Sequence, residues 1–249
     1  MEEDSVEENS RISAQEVNYL DHYMDEFYAS LTEENEEIGK FLHESGHSGR
    51  LLDVACGPSA LYWAMFHPNV TDFHGIDARE DSIVHLQNVI HEAVKGNVDS
   101  RYAEIARWHG VSDADASAAV MATAQRFTTA KVHDICVQWP YAAGSFEGVA
   151  SCFGADHVES KEEFFCVLQE VHRVLVTGGM FTLAALCETN SWICGGNLCA
   201  CLYTTKVSLE HDLSSTGFRV VFLEERAATT ALENGSGYEK MLFCRAMKV

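Results

Sequence analysis

Positive charge is scarce in this chain. Seventeen lysines and arginines stand against 38 aspartates and glutamates, for a formal net charge of −21 over 249 residues. Such a surface repels phosphate backbones and anionic bilayers, which argues against a nucleic-acid or membrane partner and requires nothing beyond solubility. No apolar run approaches the roughly 20 residues that span a bilayer. The opening MEEDSVEENS has neither the basic nor the apolar segment of an export signal. The C-x-x-C spacing is missing too, and the nine cysteines are odd in number. Cys136, Cys152, Cys166, Cys187 and Cys244 sit in apolar runs. These features lead us to expect reduced thiols and a cytoplasmic protein. There is no internal repeat and no convincing domain boundary.

What is present is an alternation of strands and helices. Residues 1–14 are acidic, almost without large apolar groups, and expected to be disordered. From Gln15 to Glu44 the pattern is helical, with Tyr19, Tyr23, Phe27 and Tyr28 spaced onto one face. Arg50–Cys56 (RLLDVAC) is a short unalternating apolar run, the mark of a strand buried on both faces. A helix is expected from Ala60, a strand over Asp72–Asp77 and a helix through Ile90. Glu92–Thr129 reads as mostly helical and Val132–Ile135 as a short strand. Phe146–Phe153 reads as a buried strand, and Lys161–Leu175 as a helix stopped by Gly178-Gly179. Met180–Cys187 is a further strand and Val207–Ser215 a short helix stopped by Gly217. Arg219–Glu225 and Lys240–Met247, with no helix between them, should pair antiparallel at an edge. The sum is one α/β domain over residues 15–249, a Rossmann-like, doubly wound and mainly parallel sheet.

A strand, a glycine turn and a helix make a cradle at the carboxyl end of such a sheet. Here the turn reads Asp53-Val-Ala-Cys-Gly57-Pro58-Ser59, and Asp77 ends the next strand, positioned to accept bonds from two ribose hydroxyls. Dinucleotide enzymes share this logic. Three details point elsewhere. Ala60 replaces the third glycine of G-x-G-x-x-G. Asp53 would repel a pyrophosphate but suits an ammonium or sulfonium. Asp134, at another strand end, can receive an adenine amine. Each acid alone has a cap of a turn or helix as its alternative role, and the three together at strand ends point to a ligand.

At these residues the chain resembles the class I methyltransferases, and within them the nicotinamide, phenylethanolamine and indolethylamine N-methyltransferases. The resemblance runs from Tyr19 to Lys248. It rests on the tyrosine-rich helix Tyr19-Leu-Asp-His-Tyr23, on LLDVACGPSALY, on VHDI (Val132–Ile135), on SCFGADHV (Ser151–Val158), on VLVTGG and on ALCETNSWICGG (Ala185–Gly196). It implies S-adenosylmethionine as cofactor, with S-adenosylhomocysteine as product, and a helical lid over residues 15–48. Tyr19 and Tyr23 would close over cofactor and substrate. Asp53, Ala55, Gly57 and Pro58 would hold the methionine part. Asp77 would bind the ribose with Ala78 and Ser82 beside it, Asp134 and Ile135 would flank the adenine, and Cys152 would lie near the cofactor. Tyr19, Phe153, Asp156 and Trp192 would line the substrate pocket, with Asp156 and Tyr19 nearest the chemistry. The chain departs from the pattern twice: Ala55 replaces the first loop glycine, and Ala185 stands where the family carries an acid.

The implied reaction is N-methylation of a small, partly aromatic amine, such as an alkaloid or other secondary metabolite, by a monomer. Asp156 either orients the amine or caps the helix after it. O- or C-methylation of an aromatic metabolite, and a non-catalytic cofactor-binding module, are the alternatives. His43-Glu-Ser-Gly-His47 matches the HExxH zinc pattern, but Gly46 and the strand at Arg50 break the helix that pattern needs. Cys194, Cys199 and Cys201 lack ligand spacing and read as packing residues, so no metal is expected.

Overall fold

A computed structural model describes residues 33–103, 111–194, 197–228 and 235–249. The acidic tail, Tyr19, Tyr23 and Gly195-Gly196 lie outside these residues. The elements run α1 (Glu33–His43), β1 (Gly49–Val54), α2 (Ala60–Ala64), β2 (Val70–Asp77), α3 (Glu80–Val94), α4 (Asp113–Ala124), β3 (Phe127–Val132), β4 (Phe146–Cys152), α5 (Lys161–Val174), β5 (Leu175–Cys187), β6 (Ser191–Cys194), β7 (Asn197–Ala200), α6 (Lys206–Ser215), β8 (Phe218–Ala227) and β9 (Lys240–Lys248).

Seven strands form one sheet in the order β3-β2-β1-β4-β5-β9-β8. The first five run parallel, and β9 is antiparallel to both β5 and β8. The chain winds outward one way from β1 and the other way from β4, so the topological switch point falls between these two strands. Ligands of open α/β sheets bind at that crevice, outside the strand carboxyl ends.

Each face of the sheet is covered. On one, Ile38, Phe41 and Leu42 of α1 join the core with residues of α2, α3 and α4. Phe41 stacks on Phe243 of β9 with ring centroids 4.7 Å apart. The described part of the expected lid is therefore a helix packed on the sheet. On the other face α5 buries Phe164, Val167, Leu168 and Val171. The Ser160 hydroxyl caps α5 by accepting from the Glu163 N–H, with acids in its first turn and His172 and Arg173 in its last.

Four expectations need correction. The strand read at Val132–Ile135 is Phe127–Val132, so its start lies inside the stretch read as helix through Thr129. β3 is a partly exposed edge strand, and its polar Thr128, Thr129 and Lys131 hide it from an apolar-run search. Asp134 therefore sits beyond the strand. Gly178-Gly179 does not stop a helix: α5 ends at Val174 and β5 begins at Leu175. The glycines occupy a large bulge, in which β4 advances from Phe146 to Gly148 while β5 advances from Leu175 to Met180. Cys166 is exposed on α5. The β6–β7 hairpin over Ser191–Ala200 was not foreseen.

Candidate active site at the strand ends

β1 delivers Asp53 to the carboxyl edge of the sheet, and the chain then turns sharply. Ala55 and Gly57 both take left-handed backbone conformations, with φ of 51° and 60°. The Cys56 N–H donates to the Ile76 carbonyl at 3.0 Å, which ties the turn to β2. Asp77 then locks it: its Oδ2 accepts from the Gly57 N–H at 2.9 Å and its Oδ1 from the Arg79 N–H at 2.8 Å. A carboxylate oxygen has a second lone pair, so both can still accept a ribose hydroxyl. A side chain at Gly57 would meet nothing within 4 Å, so the outer face of the turn is open.

Asp53 and Asp77 are both buried. Burial, reinforced by the charge of Asp77, pushes the Asp53 carboxyl up to about 8. Burial also raises Asp77, opposed by the N–H bonds from Arg79 and Gly57. Two crowded carboxyls in a partly dehydrated cradle favour a cation.

β4 closes the other side. The Ser151 hydroxyl donates to the Val54 carbonyl at 2.8 Å and accepts from the Ala155 N–H at 2.9 Å, which joins the ends of β1 and β4. Cys152 follows; burial and then the charges of Asp53 and Asp156 raise its thiol well above the usual range. Cys152 thus lies within electrostatic reach of both acids. Phe153 is left-handed, with φ of 52°. Asp156 is buried; its Oδ2 accepts from the Leu186 N–H at 3.0 Å, while its Oδ1 has no hydrogen-bond partner among the described residues. Trp192, on β6, stacks on His157 with centroids 5.4 Å apart and planes at 18°.

The fold has many relatives of known structure. A SAM-dependent methyltransferase from Methanosarcina mazei aligns at 15% identity over 82% of this chain and 93% of its own, with a TM-score of 0.56. The Haemonchus contortus phosphoethanolamine N-methyltransferase 2, solved with phosphomonomethylethanolamine and S-adenosylhomocysteine, aligns at 14% identity over 81% of this chain and 49% of its own, with a TM-score of 0.52. This is the class I methyltransferase fold. The [4+2]-cyclase SpnF also aligns, at 18% identity over 85% of this chain and 80% of its own with a TM-score of 0.55, so the methyltransferase fold does not dictate one reaction. No protein-family model matches the sequence. No curated protein matches it either.

The structure brings together Asp53 near the end of β1, the turn carrying Ala55, Gly57 and Pro58, and Asp77 at the end of β2, with Cys152, Phe153 and Asp156 at the neighbouring end of β4. Ala78 is exposed at the rim. Ser82 is buried in the first turn of α3, its N–H donating to Asp81 at 2.8 Å. Asp134 is exposed and accepts from the Cys136 N–H at 2.8 Å, a local turn bond of the capping kind. Ile135 is buried, and its carbonyl accepts from the Trp139 indole N–H at 3.0 Å. Ala185 is buried within β5, opposite Leu242. In the HExxH stretch α1 ends at His43, so the two histidines share no helix; His47 is buried with Nε2 2.9 Å from Thr182 Oγ1. A cavity of about 700 Å³ between α1, α4 and the α2–β2 connection contains none of the cradle residues.

Sequence reasoning missed Ser151, Gly154 and His157. Gly154 carries a readable signal once its neighbour is known: a Cβ there would lie 2.6 Å from both the Cβ and the carbonyl oxygen of Ala55.

Proposed function

We propose that this chain is an S-adenosylmethionine-dependent methyltransferase that methylates nitrogen on a small, partly aromatic amine. The observation that carries the reading is the pairing of Asp53 and Asp77 around an open glycine turn at the switch point. Their chemistry fits the cofactor. Asp53 suits its cationic methionine end, and the spare lone pairs of Asp77 suit the ribose hydroxyls. Ala55, Gly57 and Pro58 supply the close backbone, and Ala78, Ser82, Asp134, Ile135 and Cys152 belong to the surrounding wall. The cofactor, when bound, supplies an electrophilic methyl carbon on a sulfonium.

The chain's own residues then have to hold a nucleophile about 3 Å from that carbon, in line, and exclude water. Asp156 supports the amine assignment, because its unpaired Oδ1 is an acceptor that an N–H can fill. A carboxylate there orients the amine and receives its proton directly or through water. Phe153 and Trp192 supply flat apolar surface. Tyr19 and Tyr23, by resemblance, complete the enclosure. Ala185 leaves no second acid in β5, so Asp156 is the main amine anchor.

The test is transfer of label from methyl-labelled S-adenosylmethionine to panels of small amines, phenols and protein extracts. Label on nitrogen of a small amine is expected. Label only on oxygen, on carbon or in macromolecules overturns the amine assignment and leaves the cofactor intact. Cofactor binding without turnover on any class favours a binding module, or chemistry of another kind on the same fold.

A further inference from the structure

Three unpaired polar atoms lie on neighbouring residues where the end of β4 meets the β6–β7 hairpin: Asp156 and His157 are consecutive, and Trp192 stacks on His157. Asp156 Oδ1, His157 Nε2 and Trp192 Nε1 are each buried and without a hydrogen-bond partner among the described residues. Their carriers are fixed by other contacts. Asp156 Oδ2 is held by the Leu186 N–H, and the Asp156 carbonyl accepts from the Leu202 N–H at 2.8 Å. The hairpin is anchored at its root by the bond from the Cys201 N–H to the Asn190 carbonyl at 3.0 Å. The faces of Trp192 and His157 are packed on each other.

Leaving buried polar atoms unpaired costs on the order of 1–3 kcal/mol each, so three on adjoining residues call for a partner outside the chain. Their chemistry says what that partner brings. A carboxylate oxygen such as Asp156 Oδ1 is an acceptor, so it calls for a donor. The Trp192 indole N–H only donates, so it needs an acceptor. His157 Nε2 serves either need, according to its tautomer.

We infer that the His157–Trp192 stack is the part of the acceptor pocket that receives an oxygen of the substrate, so the preferred methyl acceptor is an amine that also carries a hydrogen-bonding oxygen. The amine N–H fills Asp156 Oδ1 and the oxygen takes the Trp192 N–H, with His157 adapting to the oxygen's donor or acceptor character. This rests on the reading of the chain as an amine methyltransferase. It assigns to His157 and Trp192 a discriminating role that flat apolar packing would not give. A site built to bond an oxygen rejects the analogue without it, because its own polar atom is then left unpaired.

The experiment uses matched amine pairs, 2-phenylethylamine with tyramine and tryptamine with 5-hydroxytryptamine, titrated by calorimetry into the full chain saturated with S-adenosylhomocysteine. In at least one pair the oxygenated member should bind about tenfold or more tighter. Trp192→Phe keeps a ring against His157 and removes only the N–H, so it should erase most of that preference. Asp156→Asn places an amide N–H₂ where the amine needs an acceptor and should weaken both members of a pair alike. Equal affinity within both pairs, no binding of any of the four amines, or a preference that survives Trp192→Phe overturns the inference. Labelled-methyl transfer is read separately: binding with the expected preference but without N-methylation would count against the amine-methyltransferase reading and leave the subsite standing.

Discussion

Asp77 shows how one side chain serves local structure and a candidate ligand together. Its two oxygens already hold the Gly57 and Arg79 N–H groups, so the cap reading and the cofactor reading are not alternatives. Asp77→Ala should therefore act twice. It removes two bonds to a buried carboxylate, which lowers stability, and it strips the ribose anchor from the cradle. Two lost charge-assisted bonds correspond to about 2–4 kcal/mol, or roughly thirtyfold and more in cofactor affinity. A folded variant with lower thermal stability but unchanged affinity for S-adenosylhomocysteine would mean that Asp77 serves the turn alone. Asp134 is held differently. Its expected place at a strand end placed it with the other two acids, yet the strand stops at Val132 and the carboxylate is exposed, bonded to the Cys136 N–H.

At the scale of elements, three neighbouring strands end in the same unusual way. Ala55 after β1, Phe153 after β4 and Glu188 after β5 all have positive φ without being glycine, at 51°, 52° and 57°. Strain of this kind persists where surrounding structure over-determines it, and it collects at functional sites. Ala55 is the sharpest of the three, because its methyl also faces Gly154. Relief of the left-handed strain at Ala55→Gly is worth roughly 1–2 kcal/mol. The extra freedom of glycine in the unfolded chain takes back about 0.4–1 kcal/mol. The variant should gain about 1 kcal/mol, a rise of a few degrees in melting temperature. A lower melting temperature would show that the methyl packs usefully against the end of β4. Buried strands such as β1, β4 and the second half of β5 were legible because an apolar run is a direct consequence of burial on both faces. The edge strand β3 and the bulge of β5 were not, since exposure and irregular pairing leave no periodic trace. The β6–β7 hairpin was hidden for a related reason, as its two strands are only four residues long and mostly part-exposed.

For the whole molecule, the strand order places the switch point between β1 and β4, and that one topological fact gathers Asp53, Asp77, Cys152 and Asp156 from distant parts of the chain. The sequence named these residues through strand-end position and family resemblance. It could not show Asp156 with one oxygen paired and the other orphaned, nor His157 against Trp192, because those depend on how β5 and the hairpin fold over β4. Among the described residues no helix is long and apolar enough to cross a membrane. The net charge of −21 remains a reason to expect a small acceptor over RNA or DNA.

The central claim is that the buried acids of the cradle hold a cationic nucleoside cofactor, and a calorimetric titration of the full chain with S-adenosylhomocysteine tests it most directly. With the Asp53 carboxyl pushed up to about 8 in the empty cradle, most of it is protonated at pH 7. Binding an ammonium group favours the ionised form, so the proton leaves on binding. Affinity should then rise with pH through the window from about 6 to 8 and level off above it, by up to about tenfold per unit. Titrations in buffers of different ionisation enthalpy should show net proton release below pH 8, and the melting temperature should rise with S-adenosylhomocysteine but not with NAD. No heat and no melting shift with S-adenosylhomocysteine, or a shift with NAD instead, would contradict the account.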